Sequence, residues 1–426
     1  MDYKKFFLPE FFLLFLLVLT GFNNYNGALD KVGFQWLYLS LLNIIFILFF
    51  FYKGNTFSFK YFFKNPIIFF FLLFLIWSLL SFFYAYNTTE FILVFSRWFL
   101  VFISIINVTK LFYSYENRNQ SFIFILISAL IGELYFSGST FLQIISLTNY
   151  DFSYANLLKG VTGNKNITAS ILCFKLPILF YSFYRYKNFF LRSFLFAITT
   201  FTIILLFAIS SRAMIISIFA IYFLLFLYII YSYFKSLHTT SQLKLIGFSS
   251  FAPLILSVFI FQSVLPQNQN IDLLSRASTI NVDDSSTSSR LRFYGHALTQ
   301  VKNNPIIGVG LGNWKFESIK FDKESISGYT VPYHVHNDFL EVATELGLLG
   351  VFFYISIFGS FLFLLFKLFV LDSNNRFFYF TLFLSSTVYF IDSNLNFPYA
   401  RVVNQVLFIF IVSIVLSNYF KLKSIK

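Results

Sequence analysis

Long apolar runs separated by short polar breaks fill this chain from end to end. Runs of about 20 apolar residues suffice to cross ~30 Å of hydrocarbon as helices. Within lipid only helices and closed barrels satisfy their own backbone, and these runs are continuous rather than alternating, so helices are expected. The pattern predicts about twelve spans, at residues 6–22, 34–52, 66–84, 91–109, 121–136, 167–184, 189–209, 213–234, 245–265, 346–371, 377–392 and 402–420. The first run follows Lys4 and Lys5 and ends in LTGFNNYNG without a small-x-small cleavage site, which reads as a retained span. One long polar stretch interrupts the pattern. The chain therefore divides into a membrane part at 1–265, a large loop at 266–345 and a second membrane part at 346–426. The loop begins with Ser, Asp and Asn turn chemistry and continues into an amphipathic stretch from Leu291 to Val301.

Composition narrows this to an all-α polytopic membrane protein: 58% of the 426 residues are hydrophobic and 12% charged, against roughly 25% charged in soluble domains. A net charge of +13 would suit nucleic acid, but much of it lies in short loops between spans, so no nucleic-acid partner is expected. Those cations favour one side: Lys53, Lys64, Lys110, Arg118, Arg185, Lys187, Lys235, Lys244, Lys367 and Arg376 alternate with loops holding few, among them Lys31, Lys159 and Arg401. The bias predicts cytoplasmic termini and an external large loop. Cys173 is the single cysteine, which excludes an internal disulfide.

Charges inside spans are costly and need a reason. They are Arg97, Glu133 and Lys175, with Arg212 at a span end. An Arg97–Glu133 ion pair would serve helix packing. Arg212 has no acid near it in sequence, and an arginine fork there suits bidentate phosphate binding.

The stretch YHVHNDFLEVATELGLLG, residues 333–350, concentrates polar chemistry beside an apolar run. Asp338 is the expected N-cap of the following helix, with Glu341 at capping-box spacing. His336 then precedes a helix start, whose dipole favours a neutral imidazole able to act as a base. A structural role, or metal binding with His334 and Asp338, remains open from the residues alone. Gly347 and Gly350 are spaced to let another helix approach closely. GVGLG at 308–312 has its third glycine too early for a dinucleotide loop and lacks the surrounding strands, so it reads as a backbone turn.

Taken in order, SSRLRFYGHALTQVKNNPIIGVGLGNW and HNDFLEVATELGLLG resemble the O-antigen ligase and polymerase superfamily of bacterial membrane glycosyltransferases. The matching positions are Arg290, Tyr294 (often Trp in the family), Ala297-Leu298, Pro305, Gly308 and Gly310, then His336-Asn337, nine residues, and Gly347 with Gly350. TGNKNITASILCFKLP at 162–177 and SSRAM at 210–214 also fit, so the resemblance spans about 160–400.

The resemblance implies a GT-C-like enzyme of the bacterial inner membrane, active at its periplasmic face. The donor would be a glycan on undecaprenyl pyrophosphate, and the acceptor a sugar hydroxyl of the lipid A core. It implies neither a cofactor nor a metal. Arg290 and Arg212 would contact the pyrophosphate and His336 would assist the acceptor. Asn337, His334, Arg292, Lys165, Lys175 and Asn166 are further candidate contacts, and Gly308, Gly310, Gly347 and Gly350 belong to the structural motif. A polymerase or an O-linked protein glycosylase of the same superfamily is the nearest alternative, yet Arg97, Arg212, Arg276, Arg290 and Arg292 all lack the glycine eleven positions on that polymerases often show. A transporter of lipid-linked glycans would place its site near the midplane and often show repeats; the sequence shows none.

Overall fold

The computed structural model describes residues 9–23, 30–54, 63–147, 150–264, 285–323 and 333–424. The turn-rich start of the large loop, with Arg276, lies outside the described residues, as do Lys4 and Lys5. The described elements are α1 (Pro9–Val18, extended by a 3-10 turn to Phe22), α2 (Lys31–Tyr52), α3 (Pro66–Leu80), α4 (Thr88–Ser114), α5 (Arg118–Leu147), α6 (Lys165–Arg185) and α7 (Phe189–Ile209). Then come α8 (Arg212–Phe234), α9 (Thr240–Val264), α10 (Ser285–Asn303), α11 (Trp314–Asp322), α12 (Asp338–Leu371), α13 (Arg376–Leu395) and α14 (Val402–Ser424). Among the described residues there is no strand, and ten helices are long and apolar enough to cross a membrane. Two further expected spans correspond to the shorter apolar helix Pro9–Phe22 and to α13. The protein is an all-α polytopic membrane protein.

Two helices form the centre. In both α6 and α14, 94% of the apolar window is buried, whereas α2, α3 and α12 bury 39%. The outer helices turn Phe51, Phe219 and Phe366 outward, as expected where lipid is the solvent. The central helices carry the polar groups that lipid would reject: Asn404, Gln405, Ser413 and Asn418 on α14 are all buried.

Helix α5 differs from expectation. The apolar pattern predicts 121–136, but the helix runs 30 residues. The polar positions that end the apolar run are on its buried side. Glu133 takes a bidentate contact from Lys175 Nζ on α6, 2.8 Å to each oxygen, and Ser137 and Gly138 face the core. Glu133 thus pairs with Lys175 rather than Arg97, whose guanidinium lies 5.6 Å from the Trp36 ring centroid. The close junction of α7 and α8 is a two-residue turn, with Ser210 left-handed at φ 52° and Ser211 extended.

Helix α12 begins at Asp338, ahead of the apolar span expected from 346, and its regular path is broken at Gly347 (φ 69°, ψ −173°). The turn 305–312 fills this break. Val309 N–H donates to Thr344 O (3.0 Å), Gly310 N–H to Glu345 O (2.8 Å), and Leu348 N–H to Pro305 O (2.8 Å). The Trp77 indole N–H donates to Leu346 O at 2.9 Å. The close approach expected at Gly347 is therefore made by the 305–312 turn rather than by another helix. Gly308 and Gly347 serve it directly: both have positive φ, and a Cβ on either would overlap backbone of the other segment. Gly310 has φ 96° and faces Ala85, and a Cβ on Gly350 would meet the Leu346 side chain.

Candidate functional site

Val335 is fully buried in a small cluster with Ala297 and Trp314. It anchors the segment 333–337 between α10, α11 and α12. Glu341, one turn into α12, holds that segment: its carboxylate accepts Val335 N–H (2.8 Å), His334 Nδ1–H (2.9 Å) and the Tyr399 hydroxyl. The N-cap of α12 is Asn337, not Asp338. Asn337 Oδ1 accepts Leu340 N–H at 3.0 Å, leaving Glu341 free to organise the histidines instead of closing a capping box.

The two histidines line different cavities. His334 stacks on Phe397, with ring centroids 4.3 Å apart, and lines a cavity of about 160 Å³ together with Arg97, Lys315 and Tyr399. His336, held at φ 63° just before the cap, lines a cavity of about 70 Å³ with Asn164, Asn166, Asp392, Asn404 and Arg401. Its ring meets Phe397 edge-on at 5.0 Å and lies near-parallel to Phe293 at 6.3 Å. Burial first, then the charge of Arg290, pushes the His336 imidazole down to about 4. It is therefore neutral at ordinary pH, as expected, although burial rather than the helix start is the main cause. Its Nδ1 is buried with no hydrogen-bond partner among the described residues. His334, His336 and Asp338 do not converge as ligands: among the described residues no three His, Cys, Asp or Glu side chains could share a metal ion.

Helix α10 supplies the cations. Arg290 Nη2 donates to Asn396 Oδ1 (3.4 Å), and Asn396 Nδ2 donates to Asp392 Oδ1 (2.6 Å). Asp392 Oδ2 accepts from Ser170 and Asn404. This chain of hydrogen bonds links Arg290 to the wall of the His336 cavity. Arg212 Nη1 donates to Thr287 Oγ1 at 3.0 Å, one turn before Arg290 on the same helix. The Tyr294 hydroxyl sits between the carbonyls of His336 (3.1 Å) and Asn394 (2.9 Å), tying α10 to the histidine segment and to α13. The aromatic of the motif thus positions the backbone that carries His336.

Other sequence candidates have different duties. Lys175 is spent on Glu133 and on the carbonyl of Ile171, so it is a packing cation rather than a substrate contact. Arg292 pairs with Asp322, Nε to Oδ1 at 2.7 Å, and joins α10 to α11. Asn166 lines the His336 cavity, while Lys165 occupies the first position of α6 without lining it. Sequence reading missed Asp392, Asn396, Asn404 and Arg401. All four fall in DSNLNFPYARVVN, where clustered Asn and Asp beside two spans are the available signal; Arg401 had counted only as a loop charge.

The multi-pass helical bundle brings a buried histidine, a polar cavity and arginines from α8 and α10 into one neighbourhood. Residues 194–355, which include α8, α10 and the His336 segment, match the family described as O-antigen ligase. The match supports the resemblance to that superfamily carried by the motifs over this part of the chain. A search of curated proteins finds no match.

Proposed function

We propose that the protein moves a glycan from undecaprenyl pyrophosphate to a sugar hydroxyl of the lipid A core, at the periplasmic face of the bacterial inner membrane. The observation that carries this reading is the neutral, unpaired His336 Nδ1 in a cavity connected to Arg290 through Asn396 and Asp392. In the reaction the acceptor oxygen forms a bond to the anomeric carbon, and the bond from that carbon to the pyrophosphate breaks. The hydroxyl proton goes to His336, and the departing charge is balanced by Arg290 and Arg212. Attack in one step inverts the anomeric centre. Arginines provide this stabilisation without changing protonation, so the chemistry assigned to these residues needs no metal.

The test is the product that accumulates when the gene is deleted. Core lipid lacking long glycan, with full-length glycan left on undecaprenyl pyrophosphate, supports the ligase. Core capped with one repeat unit would instead make the protein a polymerase. Unchanged surface glycan would overturn both.

A further inference from the structure

The wall of the His336 cavity formed by the α13–α14 turn has polar atoms left unsatisfied. Arg401, in the turn just before α14, has a buried Nε–H with no hydrogen-bond partner among the described residues. Among the described residues no carboxylate forms an ion pair with it; the nearby Arg97 repels it, and the more weakly felt Asp30 attracts it. Its guanidinium carbon lies 5.0 Å from the centroid of Phe397, the same ring that His336 meets edge-on at 5.0 Å. Asn404, one turn later on α14 and only 2% exposed, also lines the cavity and has a buried, unpaired Oδ1. Asp392, the acid in this wall, is saturated by Ser170, Asn396 and Asn404. The N-terminus of α6, capped by Asn164, lines the same space and adds its positive dipole end. A half-buried arginine with no ion-pair partner among the described residues, facing a polar void whose one acid is already taken up by Ser170, Asn396 and Asn404 and lying beside a helix start, suits an anion. A buried unpaired donor is otherwise costly.

We propose that Arg401, with the start of α6, forms an anion-binding position in the His336 cavity that takes a phosphate of the substrate, while Asn404 Oδ1 accepts a hydroxyl beside it. The assignment of that phosphate to the lipid-linked donor rests on the function proposed above; the anion position does not. It adds a cation from outside the matched 194–355 segment, so the leaving group would be held from both α10 and the α13–α14 turn.

The experiment titrates inorganic pyrophosphate into the full-length protein in detergent and follows thermal unfolding. Wild type is expected to be stabilised. Arg401→Gln should need about tenfold more pyrophosphate or worse, the loss expected for one charge-assisted contact. Arg401→Lys, which keeps the charge and loses the fork, should lie between and guards against a folding defect in the glutamine variant. Equal pyrophosphate dependence of wild type and Arg401→Gln, or no response from wild type, would overturn the anion position. A wild-type protein that binds pyrophosphate through Arg401 yet transfers no undecaprenyl-linked glycan would support the anion position and remove the donor reading.

Discussion

Leu348 N–H donates to Pro305 O across 2.8 Å, joining the membrane helix α12 to the turn that leaves α10. This bond forms only because α12 breaks at Gly347. Its ψ of −173° at positive φ is a conformation open essentially to glycine alone, costing other residues about 1–3 kcal/mol from backbone strain. Overlap with Ile306 adds to that. Gly347→Ala is therefore expected to lose 3 kcal/mol or more, roughly, read as a lowered unfolding temperature in detergent. Gly359→Ala on the same helix, with nothing within 4 Å of its Cβ, should be close to neutral.

His336→Ala should leave the protein folded in the membrane and cut transfer by about 10²–10⁴-fold, the usual worth of a positioned base. Arg290→Ala should also abolish transfer. Surface-glycan transfer in a deletion strain, with membrane abundance measured beside it, reads both. Near-normal transfer by His336→Ala would remove the base role.

The pH profile has a definite sign. A base acts when neutral, and His336 is pushed down to about 4 from 6.5. Transfer should stay level as pH falls through 6.5 and decline only toward 4. Over the same window the unfolded chain takes up a proton that the folded protein refuses, so this residue's contribution to stability falls as pH falls. In Arg290→Gln the repulsion is gone, and the acid limb of any residual activity should move to higher pH. A limb at 6.5 in wild type would contradict the buried, neutral imidazole.

Lys175→Met strands the Glu133 charge in the core and should cost about 3–5 kcal/mol. Combining it with Glu133→Leu should restore most of that loss in thermal unfolding. Failure of the double variant to recover would mean that the pair does more than balance its own charges.

Arg290 and Arg292 are two positions apart, and their variants should separate cleanly. Arg292 is 40% exposed but its partner Asp322 only 3%, so Arg292→Ala leaves a buried carboxylate short of its cation and should cost about 1–3 kcal/mol while keeping transfer. Loss of transfer with unchanged unfolding temperature would move Arg292 into the substrate site.

The apolar pattern made the helical bundle legible because, in lipid, span length and hydrophobicity decide the structure. It misjudged α5, where Glu133 and Ser137 are polar but packed inward, and periodicity alone cannot tell a buried partner from a boundary. Arg290 and His336 were visible through their motif spacing. The N-cap was misplaced by one residue, since Asn337 and Asp338 both suit that position and only the contacts of Glu341 distinguish them. Asp392 and Arg401 were hidden for a different reason: their meaning comes from the cavity, which is assembled by α6, α13 and α14 from opposite parts of the chain.

The broken helix has a mechanical consequence. A gap in helical hydrogen bonding usually makes a joint, because free carbonyls let the two halves swing. Here the gap is already filled, by Val309, Gly310, Pro305 and Trp77. It behaves as a brazed elbow, which fixes the short arm bearing Asn337 and Glu341 to the turn 305–312. Tilting of the long arm in a bilayer of different thickness would be taken up below the elbow, and the depth of His336 relative to Arg290 would stay constant.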